Sequence, residues 1–421
     1  MSSNSKRVSN YIDELLKNDT LENLISRISF KKGEKAIRIP SGNSQEEIYG
    51  RLSLLNISDS EKSLLTDMIS IDSTESYISN IENYIGTVKV PVGLIGPLRV
   101  NGLFSQGDYL LPLATTEAAL IASYNRGVNL ITKAGGCSAM LLNEGVSRAP
   151  GFIFKNLREA GVFIVWIEEH LEQFKKEAAK TTSHGLLIDM KVTLEGNHVY
   201  LNFDYQTGDA SGQNMVTFAT ERICEYILQH SPVKPMDWFI EANLSGDKKA
   251  SYQSFQSVRG RKVTAEVIIP GELVISVLHT SAEKLGDYWR LSAIGGSLSG
   301  TIGMQGHYAN GLAALYLACG QDIACVSESA IGVTRFEETK QGDLYASVTL
   351  PNLMVATVGG GTGLPTQYAC LKITDMAGKN KARGFAEVAA ALCLAGELSI
   401  MGALCAGDFS KAHKCLARNR K

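Results

Sequence analysis

GMQGHYANGLAALYLACGQD, residues 303–322, reads as one buried helix with polar groups at both ends. Its middle, Leu312 to Ala318, is apolar on every side, the pattern of a helix enclosed by its own protein. His307 and Asn310 stand near its start and Gln321 and Asp322 at its end, where the helix dipole disfavours a negative charge. Two readings of Asp322 follow. Either the helix surfaces at Gly320 and the acid is solvated, or Asp322 sits in a site, ionised by a cation or partly protonated, and the chain must supply a lysine to it.

Working outward, residues 240–421 are apolar and glycine-rich. They hold EANLSGDKK (241–249), a strand-like LYASVTLPNLMVA (344–356), the run TVGGGTG (357–363), an apolar segment from Val388 to Ala406 interrupted by Glu397, and a short basic tail. Three glycines after a buried strand either form a turn or let backbone approach a ligand closely. Upstream, VKVPVGLIGPLRVNG (88–102) predicts a strand with Pro and Gly turns, and residues 108–136 predict strand, cap and helix. Thr115 and Thr116 are the N-cap candidates, which places Glu117 in the first turn.

Between these apolar parts, residues 150–239 change character. A charged helix from Arg158 precedes LLIDMKVTL and HVYLNFDYQ, joined by an EGN turn as a hairpin, and then TGDASGQN opens a further helix. This is an α+β unit of about 90 residues, the size of an inserted domain. Free amides between Gly208 and Asn214 at a helix start can cradle a phosphate or a nicotinamide amide, although a turn and cap have the same letters. Residues 1–75 are charged and helical in pattern.

With 421 residues, 44% hydrophobic, 20% charged and a formal net charge of -2, the chain has an ordinary globular composition of more than one domain. No basic face or tail dominates, which excludes a nucleic-acid binder. The polar N-terminus lacks the apolar core of a signal peptide, and the Val388–Ala406 run is broken by a glutamate and rich in Ala and Gly, so a cytoplasmic protein without a membrane span is expected. Eight scattered cysteines form no CxxC pair and no His/Cys ligand spacing, which argues for reduced, buried thiols and no metal site.

Seven blocks carry a resemblance: ENYIGTVKVPVGLIGPL (82–98), PLATTEAALIASYNRG (112–127), GDASGQN (208–214), GDKK (246–249), HYANGLAALYLACGQD (307–322), TVGGGT (357–362) and KAH (411–413). In this order the chain resembles the 3-hydroxy-3-methylglutaryl-coenzyme A reductases, more the eukaryotic and archaeal class than the other bacterial one, from about Ile48 to the C-terminus. The resemblance implies an α+β fold: a large domain (76–149 and 240–421) built around a long central helix, here residues 303–322, with an inserted ferredoxin-like, nicotinamide-binding domain (150–239) after an N-terminal helical region (1–75). It implies an acyl-CoA substrate, NADPH as reductant, and a homodimer whose subunits share active sites.

Residue by residue, the family's catalytic set falls on Glu117, Lys248, Asp322 and His413, which supplies the lysine that Asp322 asks for. Near CoA the resemblance places Glu82, Asn83, Ser123, Asn125, Arg126, Asn243 and His307, and near the acyl carboxylate Arg148, Lys249 and Asn310. The cofactor is expected against Ser183, His184, Asp209, Asn214, Gly359, Gly360 and Gly361. Some positions depart from the family pattern. DASG replaces DAMG, and Asn129 replaces a second basic residue one turn after Arg126. His184 stands where users of NADP carry an arginine, and a histidine is a weaker, pH-dependent anion ligand, so NADH is the alternative reductant. A reductase for another acyl-CoA, an NAD-dependent oxidative direction and a non-catalytic CoA-binding relative are the rival readings.

Overall fold

The computed structural model describes residues 44–66, 74–78, 80–182, 184–257 and 259–408, with short pieces between 13 and 41. Two compact units divide them. The first holds the described residues up to Thr66 together with Glu82–Ile85. Within it, Ser44 with Glu47 and Ser58 with Glu61 form reciprocal capping boxes that start helices α1 (Gln45–Ser53) and α2 (Asp59–Leu65). The buried Arg51 guanidinium donates to the Pro40 and Tyr84 carbonyls, both at 2.8 Å. Asn83 adopts a left-handed φ of 52° beside that anchor.

The second unit opens with α3 (Thr74–Ile78) and runs β1 (Val92–Gly102), β2 (Gln106–Ala114), α4 (Leu120–Lys133), β3 (Cys137–Arg148), β4 (Gly151–Ile153), α5 (Leu157–Glu168), α6 (Leu171–Ala179), β5 (Leu186–Glu195), β6 (His198–Gln206), α7 (Gln213–His230) and β7 (Asp237–Phe239). It continues with β8 (Gly260–Ile269), α8 (Gly271–Leu278), α9 (Ala282–Ser299), α10 (Tyr308–Ala318), α11 (Val326–Ser329), β9 (Val333–Glu338), β10 (Leu344–Leu353), α12 (Pro365–Ile373) and α13 (Ala382–Ala406). The strands join in the order β7-β4-β6-β3-β8-β10-β9, with β1 paired to β2 and β3, and β5 to β6. Of these pairs only β1 with β3 is parallel.

The expected hairpin is present, with Glu195 opposite His198 across a turn in which Gly196 takes a positive φ. Helices α5, α6 and α7 cover that part of the sheet with an aromatic core, in which Phe154 and Phe163 lie 4.7 Å apart and Phe174 meets Phe203 edge-on. β3 bridges two parts of the sheet: Ser138–Gly145 pair with β8 and its last three residues with β6.

The long central helix is α13, not residues 303–322. Of the latter only Tyr308–Ala318 is helical, because Gly306 and His307 bond to a neighbouring side chain instead of opening the helix earlier and Gly320 turns left-handed. α13 runs 25 residues and is buried over nearly its whole length. Its apolar composition and length would suit a membrane span, yet 89% of its most apolar window is enclosed by the protein itself. Glycines let α4, α10 and α13 approach one another. A Cβ on Gly311 or Gly396 would come within 2.6 Å of the Tyr124 ring, and one on Gly127 would overlap the Ala395 carbonyl.

Candidate active site

Asp322 does not close a helix. α10 ends at Ala318, and Asp322 instead caps the short turn Ile323–Cys325, its Oδ1 accepting from the Ala324 N–H at 3.1 Å. That is an N-terminal position, where a carboxylate is favoured. Its other oxygen, Oδ2, pairs with Lys248 Nζ at 2.8 Å. Both side chains stay more than a third exposed, and the Asp322 carboxylate raises the Lys248 ammonium above the ordinary lysine value.

The pair stands in the wall of a cleft of about 590 Å³ lined by Ala210–Met215, Lys248, Gly320–Asp322 and Val358–Thr362 among others. A backbone contact brings the two glycine motifs together: a Cβ on Gly361 would lie 2.7 Å from the Gly320 carbonyl, and one on Gly320 would overlap the Gly361 carbonyl. Gly359 and Gly360, both at positive φ, have open space where a Cβ would stand, so side chains there would fill the cleft. At the helix start facing them, Gly212 takes a left-handed φ of 71° as the N-cap of α7, and a Cβ would run into Thr207. Asn214, Gly359, Gly360 and Gly361 therefore share one cleft with Lys248 and Asp322.

Asp209 lies behind this wall. Its carboxylate accepts from the Asn380 and Ala382 N–H groups at 2.6 and 3.1 Å, capping α13, and its carbonyl accepts from Thr357 N–H. Buried Arg261 ties the same loop down through the carbonyls of Gly208 and Val355. His184 is exposed just before β5. Two residues earlier Thr182 donates to Met215 Sδ at 2.9 Å, which places His184 near the cleft rim. Ser183 lies outside the described residues.

A second group of predicted residues gathers along α4 and the start of α10. Glu117 does not sit in the first turn of α4, since the helix begins at Leu120 after a left-handed Ala119 (φ 69°). The Thr115 hydroxyl caps only a local turn by accepting the Glu117 N–H. Glu117 is exposed, and its Oε1 accepts from Asn310 Nδ2 at 3.4 Å. His307 packs against Tyr124 and faces the Gly396 carbonyl at 2.8 Å through Nε2. Ser123 and Arg126 both engage Ser399 of α13, the arginine also donating to the Ser399 carbonyl at 2.6 Å. Asn125 Oδ1 accepts from the Gly96 N–H. Asn310 lies near the start of α10 and Asp322 just beyond its end, with about 12 Å of helix between Asn310 and Ala318 at 1.5 Å per residue.

Behind Lys248 lies a buried charge network. Arg148 meets Glu241 at 3.2 Å and Asp247 at 3.3 Å, so its guanidinium is already engaged. Burial pushes Asp247 up, but Arg259 and Arg148 outweigh it and hold the carboxyl below its usual range. Lys249 folds back on the Asp247 carbonyl, and Asn243, at φ 64°, donates its N–H to Glu241. Sequence reasoning missed Ser399, Arg259 and Glu328. The only signal was polar letters inside apolar or short helical text. Glu82 and Asn83 belong to the first unit, and His413 lies outside the described residues.

The model of the hydroxymethylglutaryl-coenzyme A reductase family matches residues 47–418. The chain belongs to that family. Among similar hydroxymethylglutaryl-coenzyme A reductases, the protein of Methanothermobacter thermautotrophicus is 43% identical over 351 residues, covering 83% of this chain and 88% of the relative. That of Aeropyrum pernix is 39% identical over 406 residues, 94% of this chain and 96% of its own. A Dictyostelium discoideum reductase is 40% identical over 351 residues but only 65% of it is covered. A solved class II reductase of Streptococcus pneumoniae bound to NADPH shares the fold at a TM-score of 0.63 and 20% identity, covering 85% of this chain and 86% of that one.

Proposed function

We propose that the chain reduces 3-hydroxy-3-methylglutaryl-CoA to mevalonate and CoA with two equivalents of NADPH. The observation that carries this reading is the Lys248–Asp322 pair, 2.8 Å apart, in the wall of the cleft lined by Asn214 and Gly359–Gly361. The open glycine cradle and the free amides ahead of α7 fit a nicotinamide dinucleotide, and the exposed His184 near the rim suits a 2′-phosphate. Bound NADPH supplies the hydride for each reduction.

Each hydride places negative charge on the carbonyl oxygen of the acyl group, and the Lys248 ammonium stabilises it. Asp322 keeps that ammonium charged and aimed. When the first tetrahedral intermediate collapses, its carbon–sulfur bond breaks and His413 gives a proton to the departing thiolate. After the second hydride, the alkoxide takes its proton from Glu117. Glu241, Asp247 and Arg259 already occupy the surroundings of Arg148, so its part in holding the substrate carboxylate is to keep the Lys248 loop in place with one edge of the guanidinium.

Glu117 with Asn310 and His307, and Lys248 with Asp322, sit at opposite ends of α10. We therefore place the complete site between two subunits of a cytoplasmic homodimer. One subunit gives the CoA residues Ser123, Asn125 and Arg126 with Glu117. The other gives the cofactor cleft, with residues 150–239 as its nicotinamide-binding domain. The rate of NADPH and NADH oxidation with 3-hydroxy-3-methylglutaryl-CoA tests the reaction. No rate with either refutes it. Glu117→Ala and Lys248→Ala should each be inactive, and refolding them together should restore about one quarter of the wild-type rate, one intact site in half of the random dimers. No recovery would place both residues in one subunit's site.

A further inference from the structure

Glu328 is fully buried, and the mechanism above gives it no task. One of its oxygens accepts the backbone N–H of Lys248. Lys248 holds a left-handed φ of 55°, a conformation rare for a residue with a side chain, which needs surrounding contacts to persist. Six residues before Glu328, Asp322 takes the ammonium of the same lysine. One short segment, 322–329, thus grips Lys248 at both ends. We propose that Glu328 is a positioning residue: its carboxylate locks the left-handed Lys248 peptide and so fixes where the ammonium points in the cleft.

The groups around Glu328 explain how a carboxylate survives there. Arg259 Nε stands 3.5 Å from its Oε1 and also engages Asp247, which Arg148 shares. The Cys325 thiol faces it from its own segment and the Tyr316 phenol from α10. Burial pushes Glu328 up to about 7, against the pull of Arg259 and the Lys248 N–H and with Asp247 adding to the rise. The hold on Lys248 therefore weakens as the pH falls through that range, because a neutral carboxyl accepts a hydrogen bond more weakly than a carboxylate.

The inference rests on Lys248 as the charge-stabilising residue, and two measurements on the full chain separate it from that reading. The first needs no turnover. Acetylation of Lys248 by acetic anhydride, counted by peptide mass spectrometry relative to Lys249, reports how firmly the ammonium is held. Against the wild type at pH 8, the ratio should rise about tenfold in Glu328→Ala and about threefold in Glu328→Gln, which keeps an acceptor without its charge. The wild-type ratio should step up toward the glutamine value between pH 8 and 6, while Glu328→Gln stays flat. If the alanine variant fails to fold, the glutamine profile decides. An unchanged ratio in the variants, or the same pH step in Glu328→Gln, overturns the proposal.

The second measurement is NADPH-dependent reduction of mevaldehyde, which involves no thiolate and so leaves His413 aside. The kcat of Glu328→Ala should fall about tenfold with the KM for NADPH within about twofold, and Glu328→Gln should recover part of it. A loss of kcat with an equal rise in that KM, or no recovery by glutamine, means general disruption and overturns positioning. A wild type inactive on both thioester and aldehyde refutes the proposed reaction, and the labelling ratio still decides the role of Glu328.

Discussion

Replacing Glu397 with glutamine should cost far more than its size suggests. Glu397 lies on α13 with no exposed surface. Its Oε2 accepts from Gly306 N–H at 2.7 Å and from the Thr334 hydroxyl at 2.7 Å, and its Oε1 from His307 N–H at 2.8 Å. A glutamine has one accepting oxygen. If that oxygen takes the Gly306 and Thr334 donors, its NH2 confronts the His307 N–H, and two donors face each other in a dry site. One buried unsatisfied donor costs about 1–3 kcal/mol, and losing charge assistance on the other two bonds adds to it, for a total of roughly 2–4 kcal/mol. Urea unfolding followed by far-ultraviolet circular dichroism reads this as a lower midpoint at unchanged slope. Thr334→Val removes one of the donors, so the double variant should lose less than the sum of the two single changes. A loss below about 0.5 kcal/mol for Glu397→Gln, or simple additivity, would refute the claim that this carboxylate holds the start of α10.

Gly127→Ala should lower the unfolding midpoint by a destabilisation of about 1–3 kcal/mol, because its methyl overlaps the Ala395 carbonyl and forces α4 away from α13; an unchanged midpoint would show that the helices can part freely. Glu328 makes stability depend on pH in a definite direction. Its folded value, raised from 4.5 to about 7, means that its contribution is fully present below 4.5 and is lost as the pH rises through 7, a swing on the order of 3 kcal/mol. The wild type should therefore lose ground to Glu328→Gln between those limits in parallel urea titrations, and a constant difference would contradict the assignment. Asp209→Ala frees two N–H groups at the start of α13 and should cost about 1–2 kcal/mol. It should also raise the KM for NADPH while leaving that for the acyl-CoA, which a pure stability effect would not do.

Much of the Lys248–Asp322 cleft was legible because glycine and charge leave local marks. Of the two readings of an acid at the end of an apolar run, one asked for a cation, and Lys248 is bonded to Asp322. Three glycines after a strand read either as a turn or as close backbone approach to a ligand, and Gly361 lies against the backbone of Gly320. The hairpin turned where EGN stands. Tertiary choices left no such marks. TTEA reads as a helix cap, but the chain passes through a left-handed Ala119 before α4 begins. Both apolar runs lack periodicity because each is buried on all sides, so pattern alone did not reveal that α13 would be the longer and more central. β3 is interrupted by a bulge between Leu141 and Asn143, which spoils the alternation of a strand. In Val326–Ser329 the letters VSES suggest a solvated turn, yet Glu328 and Ser329 are fully buried by what folds over them.

Four of the polar side chains tied to α13 are spread along its length. At its first residue Asp209 brings in the loop that lines the cofactor cleft. One turn further Glu387 holds the β1–β2 connection through the Leu103 and Phe104 N–H groups. Fifteen residues past its start Glu397 fixes His307, and two residues on Ser399 takes Ser123 and Arg126. At 1.5 Å per residue, the Asp209 contact and the contacts of Glu397 and Ser399 lie about 22–25 Å apart along the helix. In the proposed homodimer, Glu117 of one subunit would meet Lys248 of the other. On that proposal α13 would hold the two half-sites in register, so a change at Gly127 or Glu397 should disturb the shared site even though neither residue touches substrate.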